Sequence, residues 1–157
     1  MSEMERIKAV RLRLPEEISS MKFRNEKYDC DDDLGEYLDR PEFENIIDWK
    51  KVGKFKYSYG ASLIKVNGEW QSLHDYYIDF LLDRGWDDAG DFTKSRELTD
   101  NELIKYIPKF KAFFEAVKLP CPELSKETIR VVEFCYYNGS DAPVCFDTTT
   151  DPFYDEI

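Results

Sequence analysis

The sequence lacks the short motifs that carry chemistry in most enzyme classes. Its 157 residues include one histidine, His74, and contain no glycine-rich phosphate loop, no H-E-x-x-H and no G-x-S-x-G. The four cysteines form no C-x-x-C pair, whereas structural zinc sites usually show at least one close pair of ligands. We therefore predict that the protein binds no cofactor and that it binds a macromolecule rather than catalysing a reaction.

Long apolar runs are also absent. No stretch approaches the roughly 18 apolar residues of a membrane span, and the charged residues 1–8 are not followed by an apolar run. We expect a cytoplasmic protein whose cysteines are reduced and buried. The length fits one domain over residues 1–157, whose acidic tail, 148–157, can stay flexible or become ordered on contact with a partner.

Positive charge is scarce, because 22 lysines and arginines face 33 acidic residues, which gives a net charge of −11. The acidic residues concentrate in segments 29–49, 71–100 and 131–157. This charge disfavours direct binding to nucleic acid and to anionic membranes, and it suits a protein partner with a basic surface. Solubility alone is an equally good explanation of the net charge.

Hydrophobic periodicity predicts the first elements. Alternation in residues 10–14 indicates a half-buried strand, and apolar residues at helical spacing in 33–49 indicate two short helices, the second opened by Pro41. Residues 55–59 alternate again as a strand. Asn67-Gly68 between apolar runs is a strong signal of a hairpin, because a type I′ turn needs positive φ at both positions.

Capping-box patterns predict two longer helices. Ser72–Asp75 would begin one that ends near Gly85, and Thr99–Glu102 would begin another, kinked or divided at Pro108. Residues 128–137 predict a strand, with 144–149 as its hairpin partner. The resulting order indicates an α+β fold, a mainly antiparallel sheet built from hairpins with helices packed on it.

The acidic run Asp29–Asp33 has the composition of a calcium loop but not its spacing. The sixth position, which needs glycine, is Leu34, and the twelfth, which needs a bidentate glutamate, is Arg40. A solvated loop before a helix, with Asp33 at the helix N-terminus, is the better interpretation. His74 falls in the first turn of a predicted helix and has no evident nucleophile beside it, so we interpret it as an ordinary helix residue.

The leading hypothesis is an acidic binding protein that inhibits or modulates a protein with a basic, nucleic-acid-binding surface. Phage anti-defence proteins and toxin-immunity proteins often share this small, acidic, motif-free composition. Aromatic residues within acidic segments would anchor the contact, including a tryptophan in a predicted loop. The candidate contact residues are Asp31, Asp32, Asp33, Trp86, Asp87, Asp88, Asp91, Phe153 and Tyr154.

Two alternatives remain open at this stage. A small carboxylate-based enzyme, with or without a divalent metal, requires acidic residues that converge in a pocket with shifted pKa values. A single-strand nucleic-acid binder would use the basic segment 50–65, in which Phe55, Tyr57 and Tyr59 share one face of a predicted strand. The competing interpretation of that aromatic face is ordinary packing against helices.

Overall fold

The computed structural model describes residues 4–47, 57–66, 69–86 and 92–137. The strands in these residues are β1 (Met4–Arg13), β2 (Phe23–Asn25), β3 (Cys30–Asp32), β4 (Tyr57–Val66), β5 (Glu69–Trp86), β6 (Phe92–Glu97) and β7 (Ile129–Tyr137). The helices are α1 (Glu16–Ser19), α2 (Leu34–Leu38), a short 3-10 helix (Pro41–Phe43) and α3 (Asp100–Ala116).

Five strands form one antiparallel sheet in the order β4-β5-β1-β7-β6, and β2 and β3 form a separate antiparallel hairpin. Strand β1 lies at the centre of the sheet. Its two partners, β5 and β7, both lie far from it in the sequence. The predicted α+β class, an antiparallel sheet with helices packed on it, is confirmed.

The hairpin signal at Asn67-Gly68 is confirmed through its neighbours, because Val66 pairs with Glu69 where β4 meets β5. The two turn residues themselves lie outside the described residues. Tyr57 begins β4 as the alternation predicts, whereas the strand partner proposed at 144–149 also lies outside the described part.

The helix predicted from Ser72 to Gly85 is wrong, because this segment forms most of the long strand β5. The strand buries both of its faces: Ile78 and Phe80 on one side, and Tyr77 and Leu81 on the other. An apolar segment of this kind, interrupted by Asp79, fits a central strand as well as a helix, and pairing with β1 and β4 decides for the strand. His74 therefore lies in a strand and not at a helix N-terminus.

Helix α3 begins as predicted. Thr99 is its N-cap, and the Thr99 and Glu102 side chains each accept a hydrogen bond from the other's backbone N–H. Pro108 lies inside the helix without dividing it. Its ring is on the exposed side, where water can hydrate the carbonyl oxygen left without an N–H donor, so the helix continues.

The main core lies between α3 and one face of the sheet. Tyr57 of β4 contacts Phe113 with ring centroids 4.7 Å apart, and its hydroxyl donates to the Lys109 carbonyl at 2.6 Å. This favours the packing interpretation of Tyr57 over base stacking. The largest fully buried side chains are Phe110, Phe113, Phe114, Leu12, Leu14, Leu34, Leu38, Ile78, Leu81 and Leu98.

The expectation of buried thiols is wrong for Cys30 and Cys121, which are both exposed. Cys30 lies in the β2–β3 hairpin and Cys121 in a loop, so neither belongs to the five-stranded sheet.

Among the described residues, no helix is long and apolar enough to cross a membrane.

Candidate partner-binding surface

The candidate surface is the acidic module, which we define as residues 22–44. It contains the β2–β3 hairpin, α2 and the 3-10 helix. Nine acidic residues face four basic ones in this segment, so the acidic module holds a large share of the excess negative charge. Its acidic side chains have three distinct environments, which decide which of them a partner can reach.

The hairpin turn is fixed by local hydrogen bonding and backbone conformation. Asn25 and Cys30 close the ladder, and the Asn25 side-chain oxygen accepts a hydrogen bond from the backbone N–H of Tyr28 at 3.3 Å. Asp29 has a φ of 51°, a left-handed conformation that aspartate tolerates better than most residues do. The turn therefore holds the side chains between Asn25 and Cys30 in a defined arrangement.

Arg24 gathers the exposed carboxylates of the hairpin. Its guanidinium pairs with Asp29, lies 3.6 Å from Glu26 and lies 3.9 Å from the cross-strand neighbour Asp31. The three acidic side chains remain 64–89% exposed, so solvent screens these contacts strongly. Arg24 thus holds three carboxylates on one face while leaving them accessible.

Asp32 has a different environment, because it is buried. One carboxylate oxygen accepts hydrogen bonds from Arg40 Nη2 at 2.9 Å, Arg40 Nε at 3.2 Å and Asn25 Nδ2 at 3.1 Å. Arg40 also donates to the Arg24 carbonyl at 3.0 Å, which ties α2 to the hairpin. Asp32 is therefore a structural residue and is not available to a partner.

Asp33 serves as the N-cap of α2. Its side chain accepts from the backbone N–H of Glu36 at 2.8 Å, and the Glu36 side chain accepts from the Asp33 backbone N–H at 3.1 Å. The prediction that Asp33 lies at a helix N-terminus is confirmed. A carboxylate at this position stabilises the first turn and interacts favourably with the helix dipole.

Aromatic packing attaches the acidic module to the rest of the molecule. Phe23 stacks on Tyr37 with ring centroids 3.9 Å apart, and Tyr37 also contacts Phe43. The Tyr37 hydroxyl donates to the Val117 carbonyl at the end of α3, at 2.7 Å. Burial is the main cause that raises the pKa of Tyr37, and the nearby Glu42 carboxylate raises it further.

One large aromatic side chain on the hairpin remains uncovered. Tyr28, in the turn, is 67% exposed, and the Lys27 ammonium lies 5.3 Å from its ring centroid. Tyrosine is enriched among residues that dominate binding energies at protein interfaces. The sequence analysis overlooked Tyr28, although the Asn25 and Asp29 turn formers around it indicate a hairpin tip.

A second buried carboxylate, Asp79, lies in the centre of the sheet. Arg11, its cross-strand neighbour, donates to both carboxylate oxygens at 2.8 and 2.9 Å and lies 3.7 Å above the Tyr77 ring centroid. Both oxygens of Asp79 are thus engaged with a permanent cation. Among the described residues, no group of three potential metal ligands converges.

The predicted contact residues differ in how accessible they are to a partner. Asp31 is exposed, Asp32 is buried and Asp33 caps a helix, so one of the three is open to a partner. Trp86 ends strand β5 opposite Glu5, and the prediction that it lies in a loop is wrong. The remaining candidates lie outside the described residues: Asp87, Asp88, Asp91, Phe153 and Tyr154.

Comparisons with family models, with curated proteins and with solved structures gave no match to this chain.

Proposed function

We propose that this protein binds a basic surface of another protein through its acidic module and thereby inhibits or modulates that partner. The observation that carries the proposal is the hairpin, which exposes Tyr28 together with the carboxylates of Glu26, Asp29 and Asp31. An exposed aromatic ring among carboxylates offers both the apolar anchor and the charge that a basic, partly apolar surface recognises.

The rigidity of the hairpin supports this proposal. Arg24 pairs with the exposed carboxylates, and the partly buried Arg40 pairs with the buried Asp32 and so connects the hairpin to α2. A preorganised surface loses less conformational entropy on association than a flexible acidic loop does. The partner class most consistent with this surface is a protein with a basic site, including one that otherwise receives nucleic acid phosphates.

The test begins with capture of partners on the immobilised protein from nuclease-treated lysate of the cells that make it. The beads are washed at about 0.1 M and at about 1 M salt, where the Debye length falls from about 10 Å to about 3 Å. Each captured protein is then purified, and its affinity for the wild type and for variants is measured by calorimetry.

The informative variant is Glu26→Lys with Asp31→Lys, because both side chains are exposed and solvent screens their ion pairs with Arg24, so we expect the fold to tolerate the change. We expect about a tenfold to a hundredfold loss of affinity, since each reversed rim charge costs roughly 1 kcal/mol or more. Glu115→Lys, on the exposed side of α3, is the matched control for each single reversal, Glu26→Lys and Asp31→Lys. Reversing Asp32 or Asp33 would confuse lost binding with lost folding.

Two results would contradict the proposal. One is the absence of any partner at either salt concentration. The other is a purified partner whose affinity for the Glu26→Lys/Asp31→Lys variant equals its affinity for the wild type.

A further inference from the structure

A groove of about 360 Å³ lies where the end of β1 meets the loop before β7. Leu14, Pro15 and Pro122 supply its apolar lining, and Glu16, Glu123 and Glu127 supply its carboxylates. The remaining lining residues are Arg13 and Thr128. We name this feature the glutamate groove. Its volume is at the low end of the roughly 300–1,000 Å³ typical of ligand pockets.

The two walls of the glutamate groove are held together by the backbone. Arg13 N–H, at the end of β1, donates to the Thr128 carbonyl at 3.0 Å. On the second wall, the Thr128 hydroxyl donates to the Glu123 carbonyl at 2.9 Å and accepts from the Ser125 N–H at 3.0 Å. This hydrogen-bonded loop fixes the separation of the walls, so the groove is preformed.

No ion pair within the described residues involves Glu16, Glu123 or Glu127. Arg13 is the one basic residue of the lining, so the lining carries three carboxylates and one guanidinium. The nearest lysine in sequence, Lys126, points elsewhere, because its ammonium pairs with Asp100 at 2.5 Å beside the start of α3. The Asp100 carboxylate, through a hydrogen bond, raises the pKa of Lys126, so this lysine stays charged and engaged there.

We propose that the glutamate groove receives a single basic side chain, an arginine or a lysine, from a protein partner. The aliphatic stem of such a side chain suits the apolar lining, and the exposed carboxylates of Glu16, Glu123 and Glu127 offer opposite charge to its head. The proposal rests on the proposed function in one respect, since both require a partner with basic residues. It adds a second contact, separate from the acidic module, with a defined ligand chemistry.

The test uses the full chain and needs no knowledge of the partner. The probe is the peptide acetyl-Gly-Arg-Gly-amide, titrated to millimolar concentration and followed by amide chemical shifts in NMR spectra. The matched probe replaces arginine with citrulline, which keeps the shape and removes the charge. We expect saturable shifts in residues 14–16 and 123–128 with the arginine peptide and none with the citrulline peptide.

The variant Glu123→Gln with Glu127→Gln should weaken binding of the arginine peptide by roughly fivefold for each carboxylate removed. The control is Glu26→Gln with Asp31→Asn, which removes the same charge from the acidic module and should leave the groove shifts unchanged. The unperturbed spectrum of each variant verifies its fold.

Three results would overturn the proposal: equal shifts with both peptides, unchanged binding in the Glu123→Gln/Glu127→Gln variant, or shifts confined to residues 22–44. These outcomes are separable from failure of the proposed function. The captured partner tests the acidic module, whereas the peptide titration tests the glutamate groove even when no partner is captured.

Discussion

The acidic module and the glutamate groove are both acidic, but they differ in what surrounds their carboxylates. In the acidic module, Arg24 and Arg40 pair with most of the hairpin aspartates. In the glutamate groove, none of the three glutamates forms an ion pair within the described residues, and Lys126 of the same loop pairs with Asp100. More carboxylates of the acidic module than of the glutamate groove are therefore paired with arginines, although Glu26, Asp29 and Asp31 remain exposed.

This difference shows that a run of acidic residues does not by itself locate accessible negative charge. Consecutive aspartates at 31, 32 and 33 point in different directions on a strand and at a helix start, so each meets a different partner. The three glutamates of the groove are separated in sequence, and only the meeting of β1 with the loop before β7 brings them together.

The largest expected effect concerns a carboxylate paired in the interior. Asp79→Ala should lower the free energy of unfolding by about 3–5 kcal/mol, because it leaves the buried Arg11 without its charge partner. Urea denaturation measures this loss. Asp31→Ala, an exposed carboxylate, is the control and should change stability by less than about 0.5 kcal/mol. A loss below about 1 kcal/mol at Asp79 would contradict the assigned role of the pair.

The next effect concerns the pair of Arg40 with the buried Asp32 in the acidic module. Arg40→Met should cost about 2 kcal/mol, since the buried Asp32 keeps only its hydrogen bond from Asn25 and the longer one, at 4.0 Å, from the Cys30 thiol. Removing both charges, in Arg40→Met with Asp32→Leu, should recover part of that loss. Equal stability of wild type and Arg40→Met in chemical denaturation would show that the pairing of Arg40 with Asp32 does not stabilise the fold.

A smaller effect should appear as a dependence on pH. Hydrogen bonds from Arg96 and from the Thr99 backbone hold the pKa of Glu102 at about 2, below its ordinary value. Its stabilising contribution is therefore complete above about pH 5 and is lost as the pH falls toward 2. The contribution is about 1 kcal/mol at most, because Glu102 is partly exposed and solvent screens the pair.

Glu102→Gln isolates this contribution, because glutamine keeps the capping-box acceptor and cannot titrate in this range. We expect the stability of the variant, measured by denaturation from pH 6 to pH 2, to fall less than that of the wild type. Parallel curves for the two proteins would show that Glu102 does not cause the loss of stability at low pH.

The smallest effect should occur in the glutamate groove. Glu123→Gln with Glu127→Gln should change the free energy of unfolding by less than about 0.5 kcal/mol, because no described cation loses a partner. Thermal denaturation provides the measurement. A loss above about 1.5 kcal/mol would mean that these carboxylates support the fold, as those of Asp32 and Asp79 do, and the contrast between the two regions would disappear.

Sequence reasoning succeeded where the signal is local. The Thr99–Glu102 capping box marks the start of α3, Asp33 marks the start of α2, and Asn67-Gly68 lies between paired strands, because caps and tight turns depend on a few adjacent residues. It failed at β5, where an apolar run with a capping-like start suits either a helix or a central strand.

The candidate surface was predictable only in part. The acidic composition pointed to residues 29–33, but the sequence held no signal that Arg24 and Arg40, several residues away, would pair with them. The short β2–β3 hairpin has little hydrophobic alternation, so neither the hairpin nor its exposed Tyr28 was expected. We predicted Trp86 in a loop because the helix wrongly predicted for residues 72–85 ended just before it, whereas β5 extends to Trp86.

The sequence by itself determined the net charge of −11, the starts of α2 and α3, the hairpin connection between β4 and β5 and the α+β class. These depend on composition or on contacts between near neighbours. Only the tertiary structure decided that β5 is a strand between β1 and β4, that Asp32 and Asp79 are paired with arginines, and that Glu16 shares a groove with Glu123 and Glu127. The reason is that burial and charge pairing depend on residues far apart in sequence, which only the folded chain brings together.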